Sequence, residues 1–245
     1  MVTIGPLRYL TQQIAGDLVD VEVMVPGGSN PETYEPTARQ LVSLSHATAY
    51  ISVGDIGFER TWMDRLRQNA PQLVMTRASE GIPLEMSRNG IEDPHVWMSC
   101  ANAKVMADNI LALLTKLMPD NHHVFVANRQ RLAQHIDSID SRIRERLKGR
   151  SVSFAIYHPM LTYYARDYHL RQYPIEEEGR EPSTQQLRDL IQQMKADNVK
   201  VIFQLREFNT ANIRSIANAT GAHVMDINPL SEDWETEMVN ISNAL

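Results

Sequence analysis

Apolar and polar positions alternate along this chain in two different periods, and the switches between them outline its elements. In "VDVEVMVP" (Val19–Pro26) every second residue is apolar, the signature of a strand with one buried face. In "PLRYLTQQIAG", by contrast, Leu7, Leu10 and Ile14 recur at helical spacing, and Gly16 ends the run. The same reading predicts strands at Val2–Ile4, "TAYISVG", "QLVMTRA", "SVSFAIY", "LRQYP", "VKVIFQ" and "AHVMDIN". Helices are predicted from about Thr37 to Ser45, over "FERTWMDRLRQN", from about Ala101, over "STQQLRDLIQQMKADN" and over "TANIRSIANATG". Strands that alternate with helices imply parallel βα units, hence an α/β fold with helices flanking parallel sheets.

One segment departs from this rhythm. Between Pro119 and Leu147, Phe125, Leu132, Ile136, Ile139, Ile143 and Leu147 recur near every 3.6 residues with no strand between them. That predicts a single helix of about 28 residues, about 40 Å long at 1.5 Å per residue. Lying between two α/β halves, it divides the chain into an N-terminal lobe (1–118), a linking helix (119–149) and a C-terminal lobe (150–245), each lobe Rossmann-like. No sequence repeat or low-complexity tract interrupts the pattern.

Composition removes several classes of function. A net charge of −6 gives a nucleic-acid partner no electrostatic support. The single Cys100 excludes an internal disulfide framework and a thiolate zinc cluster. No apolar run reaches the roughly 20 residues that span a bilayer, and Met1 leads directly into the apparent strand "VTIG", so the chain reads as a cytosolic protein or as a mature exported domain without its targeting segment. The nucleotide-binding glycine patterns and the G-x-S-x-G nucleophile elbow do not follow any strand.

Candidate chemistry follows from the rule that open parallel sheets bind ligands at the carboxyl ends of their strands. By that rule two of the eight histidines stand out: His158, closing "SVSFAIYH", and His95, in the proline-braced loop "EDPHVWM". Glu32 in "GSNPETYEP", Glu207 in "FQLREFN" and Asn228 in "MDINPL" join them as polar residues that follow strands. Two imidazoles and one or two carboxylates, converging from both lobes, suit a borderline divalent cation such as Zn²⁺, Mn²⁺ or Fe²⁺. A surface turn remains the alternative for the loop holding Glu32 and Glu35. Trp97 and Trp234 read as packing residues.

Several ordered motifs then give the chain a family likeness. "IAGDLVDVEVMVPGGSNPETYEPT", "DPHVW" with "NAKVMADNI", "YHPMLTYYARDYHL", "EEEGREPSTQQL" and "GAHVMDINPLSEDW" follow one another along nearly its whole length. In these motifs it resembles the metal-binding solute-binding proteins of ABC importers, a family that delivers zinc or manganese and includes the surface-lipoprotein adhesin group. The resemblance implies no catalysis: an ion is captured between two lobes and handed to a membrane permease. It implies an extracytoplasmic or periplasmic protein, held by a lipid anchor in some members, working as a monomer. It also places ligands at His95 and His158, and at Glu32, where many members carry histidine. Asn228 stands where many members have a ligating aspartate, and Glu207 where relatives carry glutamine, so Glu207 is a candidate to restore the missing carboxylate. Glu35 would anchor the loop. Zinc is favoured, with manganese or iron as alternatives, since two imidazoles with two carboxylates also suit the harder ions. A metal-dependent hydrolase using the same ligands, with Glu207 or Glu35 as general base, is the alternative function.

Overall fold

A computed structural model describes residues 1–87, 90–176, 182–205 and 211–245. The chain forms two units: Met1–Ser138 with Leu230–Trp234, and Ile139–Pro229 with Glu235–Leu245.

The first unit begins with helix α1 (Gly5–Ala15), which buries the predicted stripe Leu7, Leu10 and Ile14. Gly16 ends the helix at φ +59°, a conformation that glycine adopts without a Cβ clash. Next come α2 (Ala38–His46), β1 (Ala49–Ser52), α3 (Gly57–Asn69) and β2 (Val74–Arg77). They are followed by α4 (Cys100–Leu117) and α5 (His122–Leu147), and the division between the units falls inside α5. Strands β1 and β2 pair in parallel, Ala49 against Val74.

Two predicted strands are shorter than the alternation implied. Val2–Ile4 and Val19–Pro26 contract to single bridges, in which Val2 pairs in parallel with both Val23 and Ile51. The amide of Val2 donates to Glu22 (2.9 Å), that of Met24 to Val2 (2.8 Å) and that of Thr3 to Ile51 (3.0 Å). Helix α1 starts at Gly5 and takes the backbone out of the ladder, so the partner chain finds only two residues to pair with. Alternation reports a buried face, and it reports nothing about the length of the partner.

A buried acid braces this layer. Glu59, in the first turn of α3, is 3% exposed. Its carboxylate accepts from the Thr3 hydroxyl (2.6 Å) and the amides of Val53 and Gly54 (2.7 Å each), closing the turn after β1. Burial pushes its pKa above the usual carboxylate range, with those donors pulling the other way. A raised native pKa contributes stability that is complete below the ordinary value and is lost as pH rises through the native one. The stability advantage of wild type over Glu59→Gln should therefore be largest near pH 4 and shrink towards neutrality. Urea midpoints of the two proteins across that range check this, and an advantage growing with pH would contradict it.

The second unit carries β3 (Ser153–Ile156), α6 (Thr162–Asp167), β4 (Arg171–Pro174), α7 (Thr184–Ala196), β5 (Val201–Leu205), α8 (Ala211–Thr220), β6 (His223–Ile227) and α9 (Trp234–Ala244). Its sheet is fully parallel in the order β4-β3-β5-β6. Ala155, Tyr157, Tyr173, Met194, Ile202, Ile213 and Ile216 form a core against which Leu187, Leu190 and Ile191 of α7 pack. Capping boxes start α2 at Thr37 and α7 at Ser183. No helix among the described residues is long and apolar enough to cross a membrane.

The long helix has the predicted buried positions. Phe125, Leu132, Ile136, Ile139, Ile143 and Leu147 are all buried, and Gly149 follows at φ +69°. A short 3-10 turn over Pro119–Asn121 precedes it, so the helix proper has 26 residues. Trp97 and Trp234 are each 1% exposed, and the Trp234 indole donates to the Trp97 carbonyl (2.8 Å). This bond ties the returning segment Leu230–Trp234 into the first unit.

Candidate metal centre

The loop after Val23 is set by its own short polar side chains. Asn30 accepts from the amide of Glu32 (2.8 Å), an Asx turn that fixes the backbone where Glu32 leaves it. Tyr34 donates to the Gln40 side chain (2.8 Å), the same oxygen that caps α2 through Thr37. Glu35 is exposed, and the loop's anchors are these other residues. The Glu32 carboxylate turns towards the start of α3, where Oε1 accepts from the Gly57 amide (3.3 Å) and Oε2 lies 3.4 Å from the Arg60 guanidinium. A Cβ on Gly57 would sit 2.0 Å from Oε2, so only glycine at 57 admits the carboxylate.

His95 lies in the same unit, and its ligand atom and that of Glu32 are within 4.8 Å of each other. It is 5% exposed and leads into the 3-10 turn Val96–Met98, after which Ser99 caps α4 by accepting from Asn102 (3.1 Å). Asp93 fixes the ring, its Oδ1 meeting both the His95 amide (2.8 Å) and Nδ1 (2.7 Å). A carboxylate can only accept, so the neutral ring carries its proton on Nδ1 and its lone pair on Nε2. Trp97 meets the imidazole edge-on at 5.3 Å. This carboxylate–imidazole arrangement is the one that orients histidine for a metal.

The second unit repeats the device. His158 lies two residues beyond β3, at the carboxyl end of its strand, with Nδ1 3.2 Å from Oε1 of Glu176. Glu176, just past β4, is 4% exposed, and its amide donates to Tyr157 (2.9 Å), continuing the β3–β4 pairing. Asn228 follows β6 in the same sheet, with β5 between β6 and β3. Its side chain is exposed, and its amide donates to Glu237 (2.7 Å). Glu207 lies outside the described residues.

Sequence reading missed Asp93 and Glu176, the acids that orient the two imidazoles. Asp93 had a local signal, an aspartate two residues before a histidine with proline between. Glu176 opens the motif "EEEGREPSTQQL" just after the predicted strand "LRQYP", but its pairing with His158, eighteen positions away, is set by strand pairing.

Parallel sheets flanked by helices, with one carboxylate-oriented imidazole in a loop and another at the end of a strand, suit a protein that holds a ligand. The chain belongs to the family described as zinc-uptake complex component A, periplasmic, whose profile matches residues 1–242. The high-affinity zinc uptake system protein ZnuA of Bacillus subtilis is 28% identical over 94% of this chain and 77% of its own. The iron-binding protein YfeA of Yersinia pestis is 27% identical over 91% and 74%. A crystal structure of a ZnuA deletion mutant with zinc bound superposes with a TM-score of 0.93, at 37% identity over 98% of this chain and 94% of that one. The family consists of solute-binding proteins that work with an ABC permease, and this chain is not an enzyme. The hydrolase alternative finds no support among its relatives.

Proposed function

We propose that Glu32, His95 and His158 hold one divalent transition metal ion, with zinc the preferred cargo, and that the protein presents it to an ABC permease as a single chain outside the cytoplasmic membrane. The observation that carries this reading is the close approach of the Glu32 and His95 ligand atoms, with the imidazole fixed by Asp93. Nitrogen and oxygen ligands of this kind bind Zn²⁺ at about 2.0–2.2 Å. His158, fixed in the same way by Glu176, supplies the second imidazole. Glu207 is the fourth ligand in this proposal. It follows β5, the strand next to β3, and a carboxylate is a better zinc ligand than the Asn228 amide.

The zinc preference rests on the zinc-bound relative and on the Irving–Williams order, which places Zn²⁺ above Fe²⁺ and Mn²⁺ at most such sites. Calorimetric titration of chelator-stripped protein with Zn²⁺, Mn²⁺ and Fe²⁺ at neutral pH tests it. One ion should bind per chain, zinc most tightly, and Glu207→Gln should weaken binding where Asn228→Ala does not. If no ion binds more tightly than about 10 μM, roughly −7 kcal/mol, the cargo reading fails.

A further inference from the structure

We propose that Arg60 is a built-in competitor for the Glu32 carboxylate, one that lowers the affinity of the metal site and speeds release of the ion. The inference rests on the cargo reading above and concerns a residue outside the ligand set. Arg60 lies in the first turn of α3, with Nη2 3.4 Å from Glu32 Oε2 and Nη1 donating to the Asp55 carbonyl at 2.7 Å. The second bond matters because it fixes where the charge sits. Asp55 is itself held in the left-handed region at φ +66°, with its carboxylate 3.1 Å from Arg77. The turn before it is closed by Glu59 through the amides of Val53 and Gly54. Arg60 is therefore a guanidinium placed on a braced turn and aimed at a candidate ligand.

Both Glu32 oxygens are engaged, one by the Gly57 amide and one by Arg60. The Gly57 bond is long, belongs to the backbone and leaves a lone pair on Oε1. The Arg60 contact is ionic: it draws on the charge of Oε2 and sets a positive charge against any cation that the carboxylate grips. Even a one-oxygen grip places a dication on the order of 5 Å from a fixed positive charge. At a near-water dielectric, which suits a side chain 53% exposed, that repulsion amounts to about a tenfold change in affinity. In the metal-free protein the same guanidinium neutralises Glu32. An importer's binding protein has to surrender its cargo, and a competitor within reach of one ligand shifts the balance towards release.

The test is zinc affinity, and the zinc dissociation rate into excess chelator, for wild type, Arg60→Gln and Arg60→Lys, each first stripped of metal. Arg60→Gln should bind about tenfold more tightly and release more slowly. Arg60→Lys, which keeps the charge, should stay within about twofold of wild type. Raising NaCl from 0.05 M to 1 M should narrow the gap between wild type and Arg60→Gln, since the Debye length shrinks to about 3 Å. Unchanged or weaker binding in Arg60→Gln, with a melting temperature near that of wild type, overturns the proposal while wild-type zinc binding stands. Weaker binding in both variants shows that Arg60 positions Glu32, and overturns it equally. A wild-type protein that binds no ion overturns the cargo reading and this inference together.

Discussion

Replacing His95 with alanine should leave a folded protein whose zinc affinity is lower by about two to three orders of magnitude. Zinc held by four protein ligands in folded peptides is worth about 10–16 kcal/mol, so one ligand accounts for roughly 3–4 kcal/mol, and each 1.4 kcal/mol is a factor of ten. His95 merits the upper end, because its ring is already ordered by Asp93 and by the edge of Trp97, and loses little freedom when an ion binds. The variant should still fold. Val96, Trp97 and Met98 remain buried, Ser99 still caps α4, and Asn102 still donates to the Val96 carbonyl (3.2 Å). Calorimetry gives the affinity, and thermal melting of the metal-free protein shows whether the fold survives. His158→Ala should lose a similar amount, since its ring is fixed in the same manner. If His95→Ala bound zinc like wild type, the ion would sit elsewhere and Glu32 would be a turn residue.

Which parts of this architecture could be read in advance depends on how far apart the interacting residues lie. The helices were legible because their evidence is local. Six buried positions along α5 recur at helical period, and Thr37 and Ser183 each stand three residues before a glutamine that completes a capping box. The parallel sheet of the second unit was legible too, as four strand-like segments separated by helices. The strands of the first unit were overestimated at Val2–Ile4 and Val19–Pro26. Their length depends on where α1 begins, and the alternation of either segment carries no record of that.

The candidate site divides in the same way. Glu32 and His158 could be marked because each follows a predicted strand, where ligands gather in parallel sheets, and His95 because it sits in a proline-braced loop just ahead of a helix. Part of what supports them depends on distant residues. Gly57 makes room for Glu32 from twenty-five positions away, and Glu176 meets His158 only because β4 pairs with β3. Glu35 shows the opposite error. The family resemblance suggested an anchor, yet Asn30, Tyr34 and Gln40 hold the loop, because their side chains reach backbone or capping groups nearby.

The acids behind the imidazoles give the second large effect. Asp93→Ala and Glu176→Ala should each weaken zinc binding by about 10- to 100-fold, the usual consequence of losing the partner that orients a metal-bound histidine. Asp93 should lie nearer the upper figure, because one of its oxygens meets both the ring and the backbone amide of His95 at 2.7 and 2.8 Å. Glu176 meets the His158 ring at a longer 3.2 Å. Asp93→Asn separates two ways in which the acid could act. Its amide oxygen can accept both bonds, so pure orientation predicts affinity near that of wild type. A role for the negative charge in making the ring a stronger donor predicts a loss of up to about tenfold even with both bonds intact. The charge should matter, because Asp93 is itself only 10% exposed and its field is poorly screened. The double variant Asp93→Ala/His95→Ala then closes a cycle. If Asp93 acts through His95, the pair should bind no more weakly than His95→Ala alone. Additive losses would show that Asp93 serves the loop and not the ligand, and a change below about twofold in Asp93→Ala would remove it from the site.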